Sequence, residues 1–368
     1  MTLQSIYLNL RGIVLESDNA VTMPDGKKYD GVKKIFKISD RHPAGIMING
    51  NMEFEKIPIE NLIEEFRQNT DFKELKTIDD IKNALIEYLK ENHSKSTLKE
   101  YLTPLLDDFK FNMANDIHNN GFKNALSSKK RSQIKEYIKN YSNYTYEFFE
   151  LIPPGKDEEK YNETLWEMFS YELDYEGTGI IIAGYNLKSN KPSFVEINIH
   201  CNDNGNIIYD EIDIAIDSDE SKLKIFAINT EGYTFITGVN EEFIEYINQY
   251  IKTRNIIVLD NILEDLKENN ITNSDKIIGI IKNELNEEYS SLESDIENYR
   301  SDVINDTTKA IEYLPRRIIC EFLDTINQLT VIKQQISSEI ESVSKGSHIC
   351  LITKSYGFQW IKFDDEIL

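Results

Sequence analysis

The order of elements along this 368-residue chain predicts an α+β fold, a four-layer αββα sandwich of two stacked antiparallel sheets with helices outside and helical insertions. Three observations carry that expectation. The first fifty residues read as short strands; strand patterns return over 179–228 and 349–363; and the stretches between carry helical periodicity and many charges. A hydrophobic share of 40% is enough for a core of that size. The chain is read as a single domain over 1–368, with a helical layer and insertion at 70–170 and an acidic helical insertion at 255–310.

Ser5 to Leu15 alternate apolar and polar positions around the turn signal Arg11-Gly12, which predicts a hairpin running toward Asp18. Met23-Pro24-Asp25-Gly26 is turn chemistry, because Pro presets φ and Asp-Gly tolerates the left-handed position. Val32 to Ile38 makes another short strand. The apolar run Ala44 to Asn51, broken by glycines, suits a buried strand, so these residues are expected to build one sheet three or four strands wide. Helical spacing follows at Ile59 to Phe66 and Ile78 to Leu89, and Lys129 to Phe149 reads as an exposed extension.

A second, meander-like sheet is expected from Gly179 to Tyr185, Ser193 to His200, Ile207 to Ile216 and Leu223 to Ile228. Beyond Gly238 a helix begins at Glu241 to Ile251 and continues through the acidic stretch Asn261 to Asp306 as an exposed hairpin or arm. Arg316 to Ser338 is a stronger amphipathic helix. A strand at Ile349 to Thr353, a turn at Ser355-Tyr356-Gly357 and a strand at Phe358 to Phe363 close the chain.

A net charge of −23 and a pI near 4.7 exclude a nucleic-acid or anionic-membrane surface, since phosphate binding relies on clustered Lys and Arg. No apolar run reaches the roughly 18 residues of a membrane span, and no signal-peptide pattern opens the chain, which predicts a cytoplasmic protein. Cys201, Cys320 and Cys350 are scattered and read as core thiols. The five histidines, His42, His93, His118, His200 and His348, lack ligand spacing, so neither a metal nor a cofactor is expected.

One constellation names a reaction class. Thr2, Asp18 and Lys34 stand at equal intervals of sixteen residues, and removal of Met1 would make Thr2 the N-terminal residue. An N-terminal Thr carries a hydroxyl nucleophile and its own general base, an α-amine whose ordinary pKa of about 7.7–8.0 lies near working pH.

Those residues lie in segments that resemble proteasome β-type subunits and their bacterial peptidase relatives, which are N-terminal-nucleophile hydrolases. The segments are Ser17-Asp18-Asn19-Ala20-Val21-Thr22, Gly31 to Ile38, and Gly45-Ile46-Met47-Ile48-Asn49-Gly50. The resemblance resumes at Gly179 to Tyr185, at Ile236-Thr237-Gly238-Val239 and at Ser344 to Lys354, and covers roughly half the chain. The ending Gly357-Phe358-Gln359-Trp360-Ile361-Lys362 looks like that of uncharacterised bacterial proteins with the same fold.

The resemblance implies Thr2 as nucleophile, Lys34 as the cation lowering proton affinity at the amine and hydroxyl, and Asp18 as the anion that fixes Lys34. It implies an oxyanion hole from a backbone N–H near Met47 or Ile48, and a supporting shell of Thr237, Glu341 and Ser344. Departures accompany it: Ile236-Thr237-Gly238 replaces a Gly-Ser-Gly turn, and Ser344-Lys345-Gly346-Ser347-His348 replaces a glycine-rich stretch. The implied activity is a threonine-type amidohydrolase or peptidase acting on a peptide or amide, with a homo-oligomer and an ATPase or regulatory partner open. The alternative is a catalytically inactive proteasome-like scaffold whose acidic helices bind partners.

Overall fold

The computed structural model describes residues 3–22, 27–40, 42–92, 98–120, 151–152, 154, 162–166, 168–169, 177–215, 217, 219–227, 230–269, 273–337 and 342–363. Thr2, Glu341, the expected turn at Met23 to Gly26 and the expected extension at Lys129 to Phe149 lie outside the described residues.

The chain begins with β1 (Leu3–Asn9), β2 (Gly12–Asp18), β3 (Val21–Thr22), β4 (Lys28–Tyr29), β5 (Ile35–Lys37), β6 (Ala44–Gly50), β7 (Glu53–Phe54) and β8 (Ile57–Pro58). Helices α1 (Ile59–Asn69), α2 (Ile78–Asn92) and α3 (Leu98–Asn120) follow, then β9 (Thr178–Tyr185), β10 (Pro192–Asp203), β11 (Asn206–Ala215) and β12 (Lys222–Ala227). Next come α4 (Thr230–Thr237), α5 (Glu241–Glu268), α6 (Ser274–Glu312) and α7 (Arg316–Ile336), and the chain ends with β13 (Ser347–Thr353) and β14 (Gly357–Lys362). This is an α+β fold with antiparallel sheets.

Two five-stranded sheets dominate, in the orders β12-β1-β2-β13-β14 and β11-β10-β9-β6-β5. The expectation that the first fifty residues share one sheet is corrected. The β1–β2 hairpin lies in the first sheet, whereas β5 and β6 lie in the second. The physical reason is burial: β6 is covered on both faces and both edges, which it achieves between β5 and β9 in the second sheet. The expected meander is also split, because β12 leaves β11 and pairs with β1, Leu3 opposite Ala227.

Strand alternation sorts each sheet's side chains to two faces. Ile6, Leu8, Ile13 and Leu15 of the first sheet share a core cluster with Met47, Ile181 and Phe194 of the second. A Cβ on Gly45 would lie 3.0 Å from the Phe358 ring, so this glycine permits the close approach of β6 to β14. On the other face of the first sheet, Leu3, Tyr7, Val14 and Ile349 pack with Leu323 and Ile326 of α7 and Ile311 of α6. Ile46, Ile48, Ile180 and Ile182 of the second sheet pack with Leu62 and Phe66 of α1 and Leu85 of α2.

Charge also fastens the sheets. Lys224 of β12 reaches Glu196 of β10 at 2.6 Å and Asp213 of β11 at 2.9 Å, and Lys222 meets Asp213 at 3.0 Å. Burial disfavours the charged ammonium form of Lys224, but Glu196 and Asp213 outweigh it and raise the Lys224 pKa above the ordinary value.

The acidic region forms two helices of 28 and 39 residues that pack on each other, about 42 and 58 Å long at 1.5 Å per residue. Just before α6, Asn273 takes φ 69°, a conformation Asn tolerates better than most residues. Among the described residues no helix is long and apolar enough to cross a membrane.

Candidate functional site

Asp18 ends β2 and Lys34 precedes β5, so the ion pair joins the end of one sheet to the start of an edge strand in the other. Lys34 Nζ donates to Asp18 Oδ1 at 2.8 Å, and both side chains are fully buried. The carboxylate takes further donors: Leu3 N–H at 3.1 Å on Oδ1, Ala20 N–H at 3.1 Å and Ser344 N–H at 3.4 Å on Oδ2. That many charge-assisted bonds offsets the cost of burying the anion. Burial lowers the Lys34 pKa, with Asp18 resisting through charge and hydrogen bond.

Leu3 is the residue directly after Thr2, so its bond to Asp18 ties the entry of β1 to the ion pair. Gln4 adds a tie to the second sheet, donating through Nε2 to the Ile48 carbonyl at 2.6 Å and to Ser17 Oγ at 3.1 Å. Asn49 Nδ2 donates in turn to Gln4 Oε1 at 3.1 Å.

Ser344 lies beside the pair, on the loop before β13. Its hydroxyl donates to Asn19 Oδ1 at 2.6 Å and accepts Gly346 N–H at 2.9 Å. Helix α7 holds this loop with side-chain amides. Gln334 Oε1 accepts Ser342 N–H and Val343 N–H at 2.9 and 3.1 Å, and Asn327 Nδ2 donates to the Ser344 carbonyl at 3.3 Å. The strand expected from Ile349 begins at Ser347, which stands opposite Asp18 in register.

The other expected supports are arranged differently. Ile48 N–H donates to the Lys34 carbonyl at 3.0 Å, so it is already engaged. Met47 is in register with Ile35 on one side and Ile181 on the other, and strand alternation turns its N–H toward β9. Of the oxyanion donor expected near Met47 or Ile48, the structure shows that these two N–H groups themselves face neighbouring strands. Thr237 closes the last turn of α4, donating to the Tyr233 carbonyl at 2.8 Å and accepting Val239 N–H at 3.2 Å.

Sequence reasoning missed Asn19, Gln334, Asn327 and, above all, Glu16. Glu16 is fully buried on the same face of β2 as Asp18, accepts Ser5 Oγ at 2.9 Å through Oε2, and leaves Oε1 without a partner. Burial pushes its pKa well above the ordinary carboxylate range; the Ser5 hydroxyl opposes this, and Asp18 and Asp324 add to it. The signal was the polar run Glu16-Ser17-Asp18 continuing a strand whose partner also carries Gln4 and Ser5.

No family model matches the chain, and no curated protein matches it. Among solved structures, a Gly-1 mutant of Anbu from Hyphomicrobium sp. strain MC1 is similar at 10% identity and a TM-score of 0.38, over 100% of this chain and 89% of that one. Among the described residues no group of three or more His, Cys, Asp or Glu side chains is placed to hold a metal ion.

Proposed function

We propose that the chain is a threonine-type N-terminal-nucleophile hydrolase with the four-layer αββα sandwich of that class. The observation that carries this reading is the fully buried Asp18–Lys34 pair at 2.8 Å, tied through Leu3 N–H to the residue that follows Thr2. A desolvated cation costs free energy and is retained only where it is compensated, and here the compensating Asp18 also holds the start of β1.

In this reading the chemistry is acyl transfer. The Thr2 α-amine accepts the hydroxyl proton as Thr2 Oγ attacks the carbonyl carbon of an amide. The tetrahedral intermediate collapses, the amine leaving group takes a proton from the ammonium, and an ester remains on Thr2. Water, deprotonated by the freed amine, attacks the ester and releases the acid. Lys34 favours the deprotonated amine and hydroxyl by its charge, and Asp18 keeps that charge in place. Because Ile48 N–H is engaged, the oxyanion donors come from outside Met47 and Ile48.

A Thr2→Ala variant tests this directly. Loss of amide turnover, together with loss of the covalent mass adduct formed by an electrophile selective for N-terminal threonine, is expected. Adduct formation that survives the substitution rejects the assignment.

The engaged Ile48 N–H and the locally bonded Thr237 hydroxyl favour a second reading, an inactive scaffold of the same fold. Intact-mass spectrometry separates the two. A chain that keeps Met1 after exposure to active methionine aminopeptidase supports the scaffold, and a chain that begins at Thr2 supports the hydrolase.

A further inference from the structure

Leu3, Asp18, Lys34, Ile48 and Gln4 form a closed ring of hydrogen bonds. Leu3 N–H donates to Asp18 Oδ1 at 3.1 Å, and Lys34 Nζ donates to the same oxygen at 2.8 Å. The Lys34 carbonyl accepts Ile48 N–H at 3.0 Å, and the Ile48 carbonyl accepts Gln4 Nε2 at 2.6 Å. Gln4 follows Leu3 in the chain, so the circuit returns to its start through covalent bonds. The ring passes between the two sheets at two places, the ion pair and the Gln4 carboxamide.

Gln4 differs from the rest of its row. Strand alternation sets it with Ile6 and Leu8, which belong to the apolar core between the sheets. A methionine there would extend that core without the cost of burying an amide, so a fully buried carboxamide at this end of β1 needs bonds that compensate it. It has them on every side. Both Nε2 hydrogens are committed, to the Ile48 carbonyl and to Ser17 Oγ at 3.1 Å, and Oε1 accepts Asn49 Nδ2 at 3.1 Å.

The β1–β2 ladder fixes the entry of β1 within the first sheet, but Lys34 comes from the edge of the second. The distance between them is set only where the sheets are held together at this end. We infer that Gln4 is a positioning residue for the Thr2 nucleophile, holding the entry of β1 against Lys34 through their shared partner Ile48. This rests on the hydrolase reading, in which the Thr2 hydroxyl and amine must stand in register with the Lys34 charge. Displacement of a reacting group by about 1 Å costs about a hundredfold in rate, so a link that fixes this spacing acts on the chemical step.

The test follows, by intact mass of the full chain over a range of probe concentrations, the covalent adduct formed by an electrophile selective for N-terminal threonine. Gln4→Met keeps the side-chain length and loses every bond. Its maximal adduct rate should fall at least about tenfold, with the half-saturating probe concentration unchanged within about twofold. Leu8→Met alters the same row outside the ring and should keep the parent rate even where it lowers the thermal midpoint. Ser17→Ala removes one acceptor of Gln4 but leaves the Ile48 bond, and should also keep the parent rate. Asn49→Ala, at a half-buried position, frees the carboxamide to turn and should slow the reaction at least about threefold. That variant decides the matter where Gln4→Met fails to reproduce the parent's circular dichroism spectrum, and a parent rate in it then overturns the inference. A parent that forms no adduct rejects the hydrolase reading and this inference with it. A parent that reacts, beside a folded Gln4→Met chain that reacts as fast, overturns the role of Gln4 alone. So does a Leu8→Met chain slowed as much as Gln4→Met.

Discussion

The Ser344 hydroxyl donates to Asn19 Oδ1 at 2.6 Å, immediately beyond the carboxylate that pairs with Lys34. The bond joins positions 325 residues apart and is reinforced by Asn19 N–H donating to the Gly346 carbonyl at 3.1 Å. The loop before β13 and the end of β2 thus form one hydrogen-bonded unit around Asp18.

Ser344→Ala removes the donor to Asn19 and the acceptor for Gly346 N–H in a buried setting. The expected cost is about 1–3 kcal/mol, because groups left behind lose their solvation without compensation. Urea unfolding should show a lower midpoint at an unchanged slope. A midpoint equal to that of the parent removes the loop from the account of how Asp18 is held.

Lys34→Met leaves the Asp18 carboxylate buried with backbone donors alone. Removing one partner of a buried pair costs about 3–5 kcal/mol, whereas removing both charges costs less. Asp18→Asn combined with Lys34→Met should therefore be more stable than Lys34→Met alone, and a double-mutant cycle should give a coupling of at least ~1 kcal/mol. Strictly additive losses would show that the two groups do not sense each other.

Lys224→Met tests the fastening between the sheets. Glu196 is mostly buried, and burial raises its pKa while Lys224 lowers it, so without Lys224 the carboxyl should titrate higher. The stability loss is expected at about 1–3 kcal/mol, discounted for the partial exposure of the pair. Lys222→Met, at a more exposed pair with Asp213, should cost less; equal losses would deny Lys224 its bridging role.

The local elements were legible wherever a single periodicity governed the segment. The alternation of Ser5 to Leu15 and the apolar run Gly179 to Tyr185 became β1, β2 and β9 with small shifts at their ends. Sheet membership was not legible, because the pairing of β12 with β1 depends on residues more than 200 positions apart in sequence. Asp18, Lys34 and Ser344 were found through spacing and resemblance, and they do converge. Glu16 was missed for a different reason: the polar run Glu16-Ser17-Asp18 marks the strand end, but a sequence does not distinguish a buried glutamate there from a solvent-facing one. The amides of α7 were hidden likewise, since Asn327 and Gln334 look like ordinary polar positions of an amphipathic helix until the loop they hold is in place.

Two buried groups make opposite contributions to the pH dependence of stability. His42 is buried with neither ring nitrogen partnered, and burial lowers its pKa from 6.5 to about 4. Between those values the unfolded chain binds the proton and the folded chain does not, so stability is lost as pH falls through that window, by up to about 3 kcal/mol. Glu16 has a raised pKa, so above about 4.5 the folded chain holds a proton the unfolded chain has released, and stability is lost as pH rises toward its folded value. Glu16→Gln keeps the neutral shape and should stabilise the protein at neutral pH while leaving it unchanged below the ordinary carboxylate range. His42→Phe should flatten the acid limb instead, because an apolar ring of similar size has no proton to gain. Thermal midpoints of the parent and both variants across acidic to neutral pH check both. A Glu16→Gln variant that is less stable than the parent at neutral pH would mean that Glu16 is carried as the anion, contrary to its burial and its unpartnered oxygen.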